Sequence, residues 1–360
     1  MKRIKQLYKV FCLLLIVIST SSIQAADPIT LTSSSVTYLN LRHKGMGGTW
    51  VATTFDETAL FTNPAGLTKV GFGVQSPLHP SIEVTTELLN KLEELKELAN
   101  KDISVAERIS KVSALVPLSV GAYAGVDPVI TLTNKYFGIG AYALAEINAD
   151  IKNKTMPRVE ARAFADGVPV IGVANDIKVF DYPLDVGIAI KYINRMQFYD
   201  ESTGEVNIKY SLVDLLGKMD SGESLVPTSS MFTGFGADIG LLGKLNTSFG
   251  EGYWGLTYQN LGAELKGIQK VNKKERDVII KVPQTMTLGV GLNASLPYIE
   301  DFFWALDYTV IPTEEDKNSF FKNLHIGFEK KVLYDVVKLR GGLNQGYIVG
   351  GLKIDLYIEV

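Results

Sequence analysis

The feature that most restricts this chain is a period of two. From Gln284 to Asn293, Met286, Leu288, Val290 and Leu292 interleave with Thr285, Thr287, Gly289, Gly291 and Asn293. Extended backbone turns successive side chains to opposite faces, so the stretch reads as a strand with one apolar and one small, polar face. Val186, Ile188, Ile190 and Tyr192 repeat the pattern against Gly187, Ala189 and Lys191, and Phe235, Ala237, Ile239 and Leu241 against Gly236, Asp238 and Gly240. Trp254, Leu256 and Tyr258 oppose Gly255 and Thr257; Trp304, Leu306 and Tyr308 oppose Ala305, Asp307 and Thr309; Leu324, Ile326 and Phe328 oppose His325, Gly327 and Glu329. The predicted fold class is all-β.

Such alternation suits a soluble sandwich with apolar faces inward or a membrane barrel with apolar faces outward. Three features favour the barrel. The alternating stretches run to about ten residues or more, against about five to six in ordinary sheets. Tyr192, Trp254, Tyr258, Trp304 and Tyr308 lie on the apolar face, where an interfacial girdle needs them. The other face mixes glycines with charges of both signs, as a wet or plugged lumen requires. The expectation is a transmembrane antiparallel β-barrel of 12–14 strands, with Lys191, Asp238, Asp307, His325, Lys338 and Arg340 facing its lumen.

Connection lengths give an independent reading. Short ones at Asp181 to Pro183, Gly250 to Gly252, Ala294 to Glu300 and Lys330-Lys331 alternate with longer ones at Tyr199 to Ser230, Gly262 to Pro283 and Ile311 to Phe321. Outer-membrane barrels keep short turns in the periplasm and long loops outside, and only a short external turn near Asn344 to Gly346 breaks the parity. Twelve strands follow, or fourteen if stretches such as Pro157 to Phe180 fold as extra hairpins about turns such as Asp166-Gly167.

Residues 1–25 have the basic start, apolar run and small residues before Ala26 of a secretory signal peptide. The apolar run is about half the roughly 20 residues of a membrane-spanning helix. The single cysteine, Cys12, falls inside it, without the small residues that precede a lipidated cysteine. Three scattered histidines, His43, His79 and His325, make no zinc cluster and no Ser/His/Asp constellation, and no thiol remains as a nucleophile. No dinucleotide or Walker-type glycine fingerprint occurs, and a net charge of −3 leaves no nucleic-acid footprint. Carboxylate pairs are always available among 39 acidic residues, but nothing singles one out. No catalytic residue, metal or cofactor is therefore predicted, and no enzyme.

Residues 82–116 break the pattern and are assigned to a helical insertion. Leu88, Leu89, Leu92, Leu95 and Leu98 form a stripe at helical spacing, and a second helix is predicted from Ser104, whose spacing to Glu107 fits a capping box, through Ile109, Val112 and Leu115.

Ahead of the first strand lies Gly45-Met46-Gly47-Gly48-Thr49-Trp50-Val51-Ala52, then Asp56-Glu57-Thr58-Ala59 and Asn63-Pro64-Ala65-Gly66-Leu67. A glycine-rich stretch, an acidic turn and an Asn-Pro-Ala triplet at this spacing resemble the leading segment of the outer-membrane long-chain fatty-acid transporter family. The helical insertion and Met156-Pro157-Arg158-Val159-Glu160-Ala161-Arg162 more loosely resemble its TraF-like conjugal-transfer subgroup. The resemblance implies a plug over residues 26–68 inside a barrel over 69–360, with Gly45, Gly47, Gly48, Asp56, Asn63, Pro64 and Ala65 as seating or gating residues. Glycines permit close backbone packing, and Asn63 before Pro64 has to leave the helical region. The chain departs from the usual pattern in ending on Val360 rather than an aromatic residue.

The family mechanism implies passive uptake of small hydrophobic molecules such as long-chain fatty acids across the cell outer membrane. It implies a gap in the wall at a strand interrupted by proline, for which Pro128 and Pro169 are the candidates. The expected partners are membrane lipids, a hydrophobic ligand, the outer-membrane assembly machinery and envelope proteins. A second reading is a scaffold barrel of a secretion or conjugation complex. A soluble secreted β-protein is the third.

Overall fold

Seventeen strands join in one sheet whose order brings β17 beside β2. The computed structural model describes residues 29–32, 40–75, 80–84, 89–98, 104–221, 227–248, 250–296, 299–311, 320–332 and 336–354; the signal segment, His79, Leu88 and Val360 lie outside them. In chain order the strands are β1 (Ile29–Thr32), β2 (Gly73–Gln75), β3 (Pro80–Val84), β4 (Leu118–Asn134), β5 (Phe137–Lys152), β6 (Arg158–Val179), β7 (Tyr182–Tyr199), β8 (Ile208–Ser211) and β9 (Thr228–Thr247). They continue with β10 (Gly250–Leu261), β11 (Glu264–Val271), β12 (Lys274–Lys281), β13 (Thr285–Leu296), β14 (Ile299–Ile311), β15 (Leu324–Val332), β16 (Val337–Asn344) and β17 (Tyr347–Ile354).

Except for β1, which runs parallel to β12, the paired strands are antiparallel. The wall runs β2 with β3, then β4, β5, β6, β7, β9, β10, β13, β14, β15, β16 and β17. The strand total exceeds the expected 12–14 for two reasons. β2 and β3 are two pieces of one wall position, both paired to β4, and β1, β8, β11 and β12 add pairings at one rim only.

At the lower rim, β4 to β5, β6 to β7, β9 to β10, β13 to β14 and β15 to β16 join through four residues or fewer. Phe180 and Asp181 turn with φ of 50° and 64°, the positive angles that match the twist of the strands they join. The long connections sit at the upper rim. One carries α2 (Leu92–Leu98) and α3 (Val105–Leu115), the latter capped by Ser104 Oγ accepting from Glu107 N at 3.2 Å. Another carries β8 and α4 (Leu212–Ser221), and Val112 of α3 packs on Leu212 and Leu216 of α4. The insertion begins later than expected, because residues 82–84 extend β3 along β4.

Asp166-Gly167 does not turn. β6 runs unbroken through it, because Asp166 lies opposite Leu144 on one side and Arg195 on the other.

Burial along β7 settles which face is which. Asp185, Gly187, Ala189, Lys191, Ile193, Arg195 and Gln197 are buried, while Val186, Ile188, Ile190 and Tyr192 between them are not. Phe235 on β9 is 65% exposed and its neighbour on the other face, Asp238, 2%. A soluble sandwich would reverse this, so the outward apolar face marks a barrel built for lipid. No described helix is long and apolar enough to cross a membrane.

Candidate functional site

Inside the ring lies the chain from Asn40 to Lys69. Asn40 caps α1 (Leu41–Gly45) by accepting from His43 N at 3.0 Å. Asp56 caps a 3₁₀ turn over Glu57–Leu60, and Asn63 caps a second over Pro64–Lys69, with Pro64 at its first position. Met46, Val51, Ala52, Ala59, Leu60, Ala65 and Leu67 are wholly buried.

The inward glycines of the wall make the room. A Cβ at Gly187 would stand 2.2 Å from the Pro64 carbonyl carbon, at Gly240 2.0 Å from Asn63 Oδ1, and at Gly327 2.0 Å from Met46 O. Gly47 and Gly48 turn with φ of 69° and 80°, and a Cβ on Gly47 would lie 2.0 Å from Ile326 O. Backbone meets backbone here, and only glycine permits it.

Polar contacts then fix the segment to one arc of the wall. Asp307 Oδ2 accepts from Trp50 N at 2.7 Å and Val51 N at 2.9 Å. Asn63 Nδ2 donates to Val51 O at 2.7 Å and Leu241 O at 3.2 Å, and its Oδ1 accepts from Ala65 N at 3.2 Å. His325 Nδ1 lies 3.2 Å from Gly47 O and 2.9 Å from Asn344 Oδ1. Glu329 is spanned by Arg42 at 3.3 Å and Arg340 at 2.6 Å, and Lys69 meets Asp185 at 2.6 Å. Gly45 backs onto Gly351 and Arg340. His43 of α1 is wholly buried and neither ring nitrogen makes a hydrogen bond among the described residues. Burial lowers its pKa to about 3 and keeps the ring neutral.

The opposite arc, β4 to β6, offers apolar contact. Leu60 lies against Gly138 and Gly172, and Phe61 meets Tyr142 edge-on with ring centroids 5.5 Å apart. Above the segment Tyr142, Leu144, Phe164, Val168, Val170 and Ile193 continue the same cluster, closed by Phe232, Leu265, Val278 and Ile280. Two buried ion pairs are set into it. Lys191 meets Asp238 at 2.8 Å, and Arg195 grips Asp166 through two bonds of 2.7 and 2.6 Å while lying over the Phe164 ring.

Five of the six charged or ionisable residues assigned from sequence to the lumen thus make contacts inside the ring: Lys191, Asp238, Asp307, His325 and Arg340. Lys338 lines a cavity at the lower rim. Asp166, Arg195, Asp185, Arg42 and Lys69 were not singled out by sequence. Pro128 sits where the β4 to β5 register shifts, between Val126 and Ile130. Pro169 pairs with Ala141 of β5 and faces outward; the β6 to β7 ladder omits Val168 and Pro169 without a change of register.

No family model matches the chain, and no curated protein is similar to it in sequence. Among solved structures it is similar to the Pseudomonas putida toluene transporter TodX at 10% identity, over 87% of this chain and 93% of that one, with a TM-score of 0.37.

Proposed function

We propose that the chain is an outer-membrane β-barrel, exported by its signal peptide, that lets small hydrophobic molecules such as long-chain fatty acids pass without an energy source. Residues 26–68 are its plug. The observation that carries the reading is the apolar lining above the plug. Inward positions of a water-filled barrel are polar, whereas here Leu144, Phe164, Val168, Val170 and Ile193 turn into the lumen and form one buried cluster with Leu60, Phe61 and Leu67 of the plug. Apolar surface of this kind solvates an apolar solute, and the contacts of Leu60 and Phe61 with the wall along β4 to β6 are non-directional, so a ligand can replace them, while Lys44 of the plug lies over the Tyr123 ring of β4.

The same arc contains Pro128 and Pro169, which supports a wall opening there, beside the apolar contacts. Membrane lipids and the outer-membrane assembly machinery are the partners this reading requires. A scaffold in a secretion or conjugation envelope complex is the second reading, favoured by the polar contacts at Asp307, Asn63 and Glu329 that tether the plug.

Cysteine pairs test both. The only native cysteine is Cys12, so a Phe61→Cys/Tyr142→Cys pair closed by a short thiol crosslinker pins the apolar arc, and Phe55→Cys/Tyr253→Cys pins the tethered arc, where those rings lie 4.7 Å apart. Uptake of labelled oleate by intact cells is expected to stop with the first crosslink and persist with the second. Equal effects of the two crosslinks would overturn the route, and no uptake above that of cells lacking the protein would favour the scaffold.

A further inference from the structure

The β11–β12 hairpin inverts the polarity of the wall. On β7 the apolar residues face outward, whereas on the hairpin Leu265, Val278 and Ile280 turn inward and are buried, and Glu264, Lys266, Lys270, Glu275, Asp277 and Lys281 stand exposed on the other face. A charged outer face is unsuited to lipid, so the hairpin stands in water at the upper rim, where its inner face closes the apolar cluster. It leaves the wall between Leu261 and Glu264, where Gly262 turns with φ of 64° and a Cβ would meet nothing within 4 Å, and returns through Val282 and Pro283. Among the described residues its ladder with the wall is two pairs, Lys266 with Thr233 and Gly267 with Phe232. β1 lies along its other edge, from Ile29 opposite Val278 to Thr32 opposite Lys281.

The tip of the hairpin is fastened to residues 200–205, which follow β7. Asn272 N donates to Glu201 O at 3.0 Å, Asn272 Nδ2 to Ser202 O at 3.0 Å and Arg276 Nη2 to Thr203 O at 3.2 Å. Gly204, with φ of 75°, leaves room for that guanidinium, since a Cβ there would run into Arg276 Nη2. Asp200 shapes the loop by accepting from Ser202 N at 2.7 Å and Thr203 N at 3.1 Å. The side-chain bonds of Asn272 and Arg276 to the loop are exposed, so water can replace them at little net cost. The inner face also carries a cost of closure: Gln269 is wholly buried and its Nε2 makes no hydrogen bond among the described residues.

We propose that the β11–β12 hairpin is a lid on the lumen, hinged at Gly262 and Pro283 and latched at its tip by residues 200–205, and that it swings outward to admit an apolar solute. Opening moves a charged face through water and bares Leu265, Val278 and Ile280, which an incoming apolar solute can cover. The lid rests on the proposed passage of apolar molecules, but its movement is read by thiol labelling without flux, so the two readings fail separately.

The test places a thiol on the inner face, Val278→Cys, in the full mature protein in non-ionic detergent and follows its reaction with a small charged methanethiosulfonate. Asn272→Gly, which keeps the positive φ of 50° and removes one neutral bond to the latch, is expected to speed labelling about fivefold. Arg276→Met, which removes the charge-assisted bond to Thr203 O, is expected to speed it about tenfold or more, and Lys266→Gln on the outer face not at all. Leu242→Cys, packed on Ala52 and Ala65 of the plug, must stay slow in every background, which separates lid opening from unfolding. Unchanged labelling of Val278→Cys in both latch variants, or equal acceleration of Leu242→Cys, would overturn the lid. In intact cells a Ser202→Cys/Asn272→Cys pair closed by a short crosslinker that reductant cleaves is expected to stop uptake of labelled oleate until cleavage. Uptake that persists through the crosslink would overturn the lid as the entry, whereas no uptake before or after cleavage would overturn the passage and leave the lid to the labelling rates.

Discussion

Replacing Asp307 by alanine should loosen the plug and leave the wall standing. Asp307 Oδ2 is the acceptor for the backbone N–H groups of both Trp50 and Val51, at 2.7 and 2.9 Å, and all three residues are buried. Without it two buried donors lose their acceptor, each at about 1–3 kcal/mol, or on the order of 2–6 kcal/mol together. The lost carboxylate also had a desolvation cost of its own, with Oδ1 making no hydrogen bond among the described residues. That offset puts the net near the lower limit, about 2 kcal/mol, which is about thirtyfold in the ratio of released to seated plug. The wall is spared because β14 holds β13 and β15 through its backbone, with Asp307 opposite Gly289 and His325. Hydrogen exchange read by mass spectrometry should accelerate about thirtyfold in peptides spanning Thr49 to Thr54 and stay unchanged in β13 to β15. Asp307→Asn, which keeps one acceptor oxygen, should fall between. Unchanged exchange over Thr49 to Thr54, or equal acceleration of plug and wall, would refute the reasoning.

The glycine seat predicts that Gly240→Ala, whose new Cβ would lie 2.0 Å from Asn63 Oδ1, lowers the heat-modifiable folded fraction, whereas Gly167→Ala, with nothing within 4 Å, does not. Arg195→Ala leaves the Asp166 carboxylate buried without its partner and should cost about 3–5 kcal/mol by urea unfolding in detergent; Arg195→Met with Asp166→Leu should recover more than half of it. Ile188→Lys on the outward face of β7 should cost about 2–4 kcal/mol of folding free energy in lipid vesicles. A near-neutral result there would mean that this face meets water.

The period of two made the sheet legible because burial repeats it: the inward and outward sets of β7 are the two residue sets the alternation separates. What alternation lacks is the identity of cross-strand partners, since that depends on how far each strand slides along the next. Asp166 shows the consequence. Asp-Gly is a strong turn signal on its own, yet Arg195 opposite supplies two charge-assisted bonds that hold the strand straight. Arg42 and Lys69 were missed for the same reason, as their acids are 287 and 116 positions away along the chain. Helix α4 was legible in principle. Leu212, Leu215, Leu216 and Met219 keep helical spacing, and Ser211 Oγ accepts from Asp214 N at 3.1 Å, but the segment lies within a connection between strongly alternating strands. The inward glycines were visible as a pattern without a cause, because the backbone that fills their space comes from a distant part of the chain.

That cause also bears on how the plug can move. On the arc from β7 to β16, glycine contacts are joined by directional bonds to Asp185, Leu241, Asp307, His325 and Glu329. Small displacements break such bonds outright, since a hydrogen bond weakens steeply with distance and angle. Along β4 to β6 Leu60 and Phe61 lie against Gly138, Gly172 and Tyr142, and dispersion contacts of this kind can be exchanged for those of an apolar solute, leaving Lys44 over the Tyr123 ring as the polar contact to give up. The cheapest motion of the plug is therefore a tilt about its tethered arc that opens a gap along β4 to β6, where the apolar lining already lies. Lifting the plug straight along the barrel axis would instead break every tether at once, which makes the tilt the motion that the proposed passive transport requires.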